Sequence, residues 1–205
     1  MQVVRFQFSS RIIADDQLAS YQIYGEKNYE YINSTIEKIR AAKDSCQDQK
    51  KRLRRPYDAK VGVFPCRSFN LGEQSTSFPH TDDGNLAQSW CSISPLGNFD
   101  PKNGGHLVLW DFGLVIDFPP GSTVLLPSAL IKHSNTPIQA GEKRYSIIQY
   151  AAGGLFRWVE HGFMSENDWE AKVSNEERGA YELKEKSRWN AAAEMYTKID
   201  QLKIP

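Results

Sequence analysis

The chain is poor in the residues that cross-link a fold. It has three cysteines in 205 residues, Cys46, Cys66 and Cys91, widely spaced and without a C-x-x-C pair. An odd, scattered set argues against a disulfide framework or a zinc-binding cysteine cluster, and points to a reducing compartment inside the cell, cytosol or nucleus. Charge of one sign is also missing. The 25 basic and 25 acidic residues cancel, so no global field gathers nucleic acid or anionic lipid. No uninterrupted apolar run of about 20 residues occurs, so neither a transmembrane helix nor a membrane partner is expected. The opening MQVVRFQFSS lacks a basic stretch followed by an apolar one, so no secretory signal is expected.

What is present suits one soluble domain over residues 1–205, with 40% hydrophobic and 24% charged residues. Three textures divide it. Residues 1–59 are expected to be helical. Within 11–55, Ile12, Leu18, Ile23, Tyr31, Ile32, Ile36 and Ile39 recur at helical spacing, Gly25 divides the run, and the first proline is Pro56. The run ends in KKRLRR at 50–55, which suits either a solvated helix end or a phosphate-binding patch. Residues 60–160 alternate short apolar runs with Gly, Pro, Asn and Asp clusters. KVGVF, AQSWCSIS, HLVLWDF, LVIDF, STVLLP, ALIKH, RYSIIQYAA and LFRW predict eight short strands in an antiparallel sandwich or barrel. Residues 165–203 return to helix. Ser174 and Glu177 form a capping box, and Trp189, Ala192, Tyr196 and Ile199 make a stripe expected to brace the sheet. The fold class is therefore α+β, mainly β.

Against this background the stretch SFPHTDDGN, 77–85, is a concentration of ligand chemistry in a chain with four histidines. If it is extended, His80 and Asp82 project from one face, because strand side chains alternate. Asp83 is the competing carboxylate and faces the other way. His133, at the end of VLLPSALIKH, is the best third ligand. Two histidines and one carboxylate that leave open positions are the ligand set of non-haem Fe(II) oxygenases. Eleven residues beyond His133 lies Arg144, with Ser146 two residues on and on the same strand face. An arginine and a hydroxyl set among apolar neighbours call for an anion, and a carboxylate accepting a bidentate arginine bond fits. Arg157 is a weaker candidate clamp, lacking a serine two positions on. Asn85, Gln88 and Trp90 follow the H-x-D closely enough to line a pocket, and His106 is a further candidate substrate contact. His161 is expected to be structural.

The order H-x-D, a histidine about fifty residues on, then R-x-S resembles the Fe(II)/2-oxoglutarate-dependent dioxygenase superfamily. Within it, Gly104-Gly105, Pro119-Pro120-Gly121, His133 to Pro137 and Gly141 to Ser146 look most like the TET/JBP-like group, especially its expanded fungal members. The resemblance covers residues 60–158. It implies a double-stranded β-helix, a jelly-roll or cupin-like barrel flanked by N- and C-terminal helices. It implies Fe(II) held by His80, Asp82 and His133, and 2-oxoglutarate held by Arg144 and Ser146. O2 is then a cosubstrate and ascorbate an accessory reductant. The implied activity is oxidation of a C–H or methyl group, a 5-methyl pyrimidine in nucleic acid being one substrate and residues 50–55 one contact. A protein side chain or a small molecule are the other substrate classes. A non-catalytic jelly-roll module that binds metal or a partner is the reading from outside enzymology, and an anion clamp argues against it.

Overall fold

The computed structural model describes residues 2–4, 15–44 and 62–201. The basic run 50–55, Ile12 and Cys46 lie outside the described residues. Helix α1 (Asp15–Tyr24) and helix α2 (Glu26–Asp44) meet at Gly25, as the sequence suggests. The glycine is needed because a Cβ there would sit 2.9 Å from the Tyr21 ring. Tyr21 is fully buried. It stacks on Trp90 at 5.3 Å and on Phe64 at 5.6 Å, and its hydroxyl accepts from the Trp90 amide at 3.1 Å. One aromatic side chain thus fastens the helical pair to the root of the barrel, where such stacks add about 0.5–1.5 kcal/mol beyond the area they bury.

Eight strands follow in chain order: β1 (Gln2–Val4), β2 (Cys66–Asn70), β3 (Cys91–Asn98), β4 (Leu107–Leu109), β5 (Leu114–Ile116), β6 (Val124–Leu126), β7 (His133–Asn135) and β8 (Lys143–Tyr150). They form two four-stranded sheets of order β2-β8-β3-β6 and β1-β5-β4-β7. All pairs are antiparallel except β1 with β5. His80 adds a one-residue antiparallel bridge beyond β7. From β2 onward the chain therefore visits the sheets in mirrored alternation, with the His80 segment and β4, β5 and β7 in the second. That connectivity is a jelly roll, the double-stranded β-helix. The sheets close over Leu107, Leu109, Phe118 and Leu126, with Ile93 and Val124 packed against them. Each such side chain contributes about 1.5–3 kcal/mol when fully withdrawn from water.

Several expected elements differ. LFRW is not a strand but lies in helix α3 (Gly153–Glu160). A four-residue apolar run carries no usable period, and Leu155 and Phe156 pack from the helix against the core that includes Ile32 and Val63. The described part of KVGVF, 62–64, is irregular, and the strand begins after Pro65 as CRSFN. ALIKH is mostly a turn: the amides of Leu130 and Ile131 both donate to the Pro127 carbonyl at 3.0 Å, and the strand starts at His133. HLVLWDF breaks after Leu109 into a 3-10 turn closed by Gly113 at φ +60°.

Helix α4 (Glu166–Lys172) and helix α5 (Asn175–Ala193) follow, the latter opened by the Ser174–Glu177 capping box. The stripe on α5 does not brace the sheet. Trp189 is 63% exposed and Tyr196 lies past the helix end, although Ala192 is buried. The helix is tied instead to α3 and α4, through Lys184 and Arg188 to Glu160 at 2.8 Å and through Tyr181 against Trp169 at 4.9 Å. No described helix is long and apolar enough to cross a membrane.

Candidate metal and anion site

The turn after Phe78-Pro79 is held extended by the larger structure around it. His80 and His133 exchange both backbone hydrogen bonds, at 3.0 and 2.9 Å, and the Asp82 amide donates to the Ser128 carbonyl at 3.0 Å. With the backbone so fixed, His80 and Asp82 face the same way. One donor atom from each of His80, Asp82 and His133 lies within 4.8 Å of the other two. Among the described residues no other trio of histidine, cysteine, aspartate and glutamate is gathered this way.

The hydrogen bonds around these residues fit a metal. Nδ1 of His80 lies 2.7 Å from the Phe78 carbonyl, and Nδ1 of His133 lies 2.9 Å from the Ile131 carbonyl. A carbonyl only accepts, so each Nδ1 carries a proton, which leaves Nε2 as the atom of each ring able to ligate. Burial lowers the pKa of His133, with the neighbouring His80 working in the same direction and the Ile131 carbonyl and Asp82 against it. Asn85 Nδ2 donates to Asp82 Oδ2 at 3.2 Å, while Asp82 Oδ1 lies 3.4 Å from His80 Nε2. Asp83 is turned aside and accepts from the Thr81 hydroxyl at 2.7 Å. Two imidazoles and one oriented carboxylate match a hard-to-borderline divalent ion. Cys91 is not a rival ligand: burial and the Asp82 charge push its thiol up to about 12.

Arg144 and Ser146 stand on β8, whose inward face runs Arg144, Ser146, Ile148, Tyr150. Arg144 is 4% exposed. Its Nη1 donates to the Ser75 carbonyl at 2.8 Å, its Nε has no partner, and its guanidinium lies 6.0 Å from the Phe99 ring centre. Burial alone pulls its pKa down to about 10, so the cation persists at neutral pH at an energetic cost. Ser146 Oγ accepts from Asn70 Nδ2 at 2.9 Å, which leaves its own O–H to donate elsewhere. Opposite Arg144 on β3 sits Gly97, at φ +116° with Lys143 O only 2.2 Å from where a Cβ would stand. Gly97→Ala is therefore expected to lower stability by about 1–3 kcal/mol, whereas Gly154→Ala, with open space at its Cβ, leaves it unchanged or higher. Urea denaturation of both variants checks the contrast.

The metal trio and the Arg144–Ser146 pair line one cavity of about 990 Å³, floored by Ile93, Leu107, Phe118 and Ile148. Asn85 also lines it, committed to Asp82 and Ser128. The other candidates lie elsewhere. Trp90 is stacked on Tyr21, and Gln88 is buried with its carbonyl accepting from Asn28. His106 is engaged by Thr136 Oγ1 at 3.1 Å and lies 3.5 Å from Asp117. Arg157 is half exposed beside Glu166, and His161 is buried against Trp169 at 4.3 Å. Asn70 and Asn135 were not legible as site residues. Asn70 lies in a strand with no β signature, and its only clue is the register that sets it opposite Ser146.

The sequence matches no protein-family model, and no curated protein matches it. Solved structures do. NgTET1 in complex with 5mC DNA is similar at 23% identity and TM-score 0.41, covering 67% of this chain and 53% of that one. The chain thus spans about half of NgTET1. The viral collagen prolyl hydroxylase vCPH from Paramecium Bursaria Chlorella virus-1, as its 2OG complex, is similar at 12% identity and TM-score 0.29, covering 43% of this chain and 63% of that one. Its truncated form gives 13%, 0.30, 72% and 98%. At these scores neither protein's chemistry transfers to this chain, and its function is read from its own geometry. The strand connectivity is that of a double-stranded β-helix, and one cavity of it gathers His80, Asp82, His133, Arg144 and Ser146.

Proposed function

We propose that this chain is an Fe(II)- and 2-oxoglutarate-dependent dioxygenase acting inside the cell. The observation that carries the reading is the sharing of one cavity by the His80–Asp82–His133 trio and a buried Arg144 whose Nε has no partner. His80 Nε2, Asp82 Oδ1 and His133 Nε2 would hold the ion. Arg144 and the Ser146 hydroxyl would hold the distal carboxylate of 2-oxoglutarate. The bound ion supplies activation of O2 with oxidative decarboxylation of the cosubstrate to succinate. The protein supplies orientation: Phe78 and Ile131 carbonyls fix the imidazole tautomers, Asn85 fixes the carboxylate, and the apolar floor limits water.

Asp82 and Arg144 are the only carboxylate and the only guanidinium or ammonium group among the described lining residues. With both committed, the rest of the cavity is neutral, with Ser68, Asn70, Asn135 and Tyr150 among its polar groups. That supports a reacting group without charge, and a 5-methyl pyrimidine in nucleic acid is the first substrate to test. A neutral protein side chain or small molecule is the alternative. The test is succinate release from 2-oxoglutarate with Fe(II) and ascorbate, followed by mass spectrometry of methylated oligonucleotides. Succinate is expected from the wild type and not from His80→Ala. Failure of the wild type to bind metal would remove the proposal. Succinate without base oxidation would redirect it to the other substrate classes.

A further inference from the structure

Between β2 and His80 the chain passes over the anion clamp as a strap, Leu71–Ser77, and the Asn135 side chain on β7 bonds to it at two residues. The Asn135 amide is fully engaged. Its Oδ1 accepts from both the amide and the hydroxyl of Ser77 at 2.8 Å, and its Nδ2 donates to the carbonyls of Ser75 at 3.0 Å and Thr136 at 3.2 Å. The Ser75 carbonyl is the same oxygen that receives Arg144 Nη1 at 2.8 Å. One carbonyl thus joins the residue two places after the metal-ligating candidate His133 to the guanidinium that faces the cosubstrate end.

β8 holds the strap's other edge through backbone bonds and an exposed ion pair, Lys143 Nζ to Glu73 Oε1 at 2.6 Å. The Arg144 amide donates to Glu73 O at 2.7 Å, and the Ser75 amide donates to Arg144 O at 3.2 Å. Those bonds place the peptide of Ser75 without fixing its rotation. The Ser75 hydroxyl does not supply that control, since it is turned back to Asn70 and Gly72 carbonyls. The direction of the Ser75 carbonyl is set by the Asn135 Nδ2 donor on one side and Arg144 on the other.

We infer that Asn135 is a positioning residue for the cosubstrate clamp, acting through the Ser75 carbonyl to aim the Arg144 guanidinium at a carboxylate in the cavity. The inference rests on the dioxygenase reading and deepens it. Arg144 is held by one neutral acceptor and one aromatic face, so little else opposes its rotation. With Asn135 in place, Nη1 is spent on Ser75 and the remaining N–H groups form the fork that a carboxylate needs. Without it, the strap peptide turns, and the guanidinium loses its aim while the metal ligands, held by their own bonds to Phe78, Ile131 and Asn85, keep theirs.

The test separates the two ends of the cosubstrate. Mn(II)-loaded full-length protein is titrated by calorimetry with 2-oxoglutarate and with oxalate, which chelates the metal but has no distal carboxylate. Asn135→Ala is expected to weaken 2-oxoglutarate about tenfold, the scale of lost outer support at such sites, with Mn(II) and oxalate affinities changed less than twofold. Asn135→Asp keeps the size and the Ser77 bonds but sets an oxygen against the Ser75 carbonyl, and it gives the same split if the alanine variant does not fold. Equal losses for 2-oxoglutarate and oxalate, or no loss for either, would overturn the positioning role. A wild type that binds neither compound would instead remove the dioxygenase reading itself.

Discussion

Asp82→Ala is expected to abolish Mn(II) binding within a measurable range, a loss of more than about 100-fold and so beyond the 10–100-fold that outer-shell partners produce. Asp83→Ala is expected to leave it within about twofold. The two aspartates are neighbours, equal in charge, and differ only in where their backbone points them. Asp82 follows His80 by one full strand repeat and is oriented through Asn85, while Asp83 is drawn off by Thr81. A titration of both variants followed by the electron paramagnetic resonance of free Mn(II) decides it. Equal losses would mean that charge near the histidines matters and geometry does not.

Arg144→Met is expected to move binding and stability in opposite directions. The variant should bind 2-oxoglutarate about 100-fold or more weakly, because a carboxylate left beside an apolar side chain keeps none of its compensation for lost water. Without ligand it should be more stable than the wild type. The guanidinium's folded-state pKa is about 10 against an ordinary 12.5, a shift worth about 3 kcal/mol. A lowered pKa in a base means that folding disfavours the cation, so the penalty is present throughout the range below about pH 10 and fades only as pH rises toward the unfolded value. Removing the charge removes the penalty at neutral pH. Paired urea-denaturation curves and 2-oxoglutarate titrations would show both signs, and a destabilised Arg144→Met would contradict the account.

Two pairs of the candidate site, His80 with Asp82 and Arg144 with Ser146, were legible in the sequence because each rests on a local rule, which His133 does not. His80 with Asp82, and Arg144 with Ser146, are spaced by two on extended chain, so their shared face follows from the backbone alone. Gly25 and the Ser174 capping box were legible for the same reason. Strand order was not, since β2-β8-β3-β6 is set by pairings between residues as far apart in the chain as Cys66 and Tyr150. β2 itself shows how context decides: CRSFN has little strand preference and becomes one because β8 offers a free edge. The reverse holds for LFRW, where apolar and aromatic residues suggested a strand but the segment packs as a helix beside α2, with Phe156 stacked on Tyr31. Asn135 was invisible for a third reason. Its importance lies in a bond to a backbone carbonyl, which no residue type announces.

The bridge between His80 and His133 has one further consequence. It is a ladder of a single rung, two hydrogen bonds long, and it carries two of the three candidate ligands as directly opposed residues. Because side chains alternate, a slip of this segment by one residue along β7 would turn His80 and Asp82 together out of the barrel and bring Thr81 and Asp83 in. A bound divalent ion would therefore act as a proofreader of strand register, rewarding the one alignment in which the barrel has closed correctly and no other.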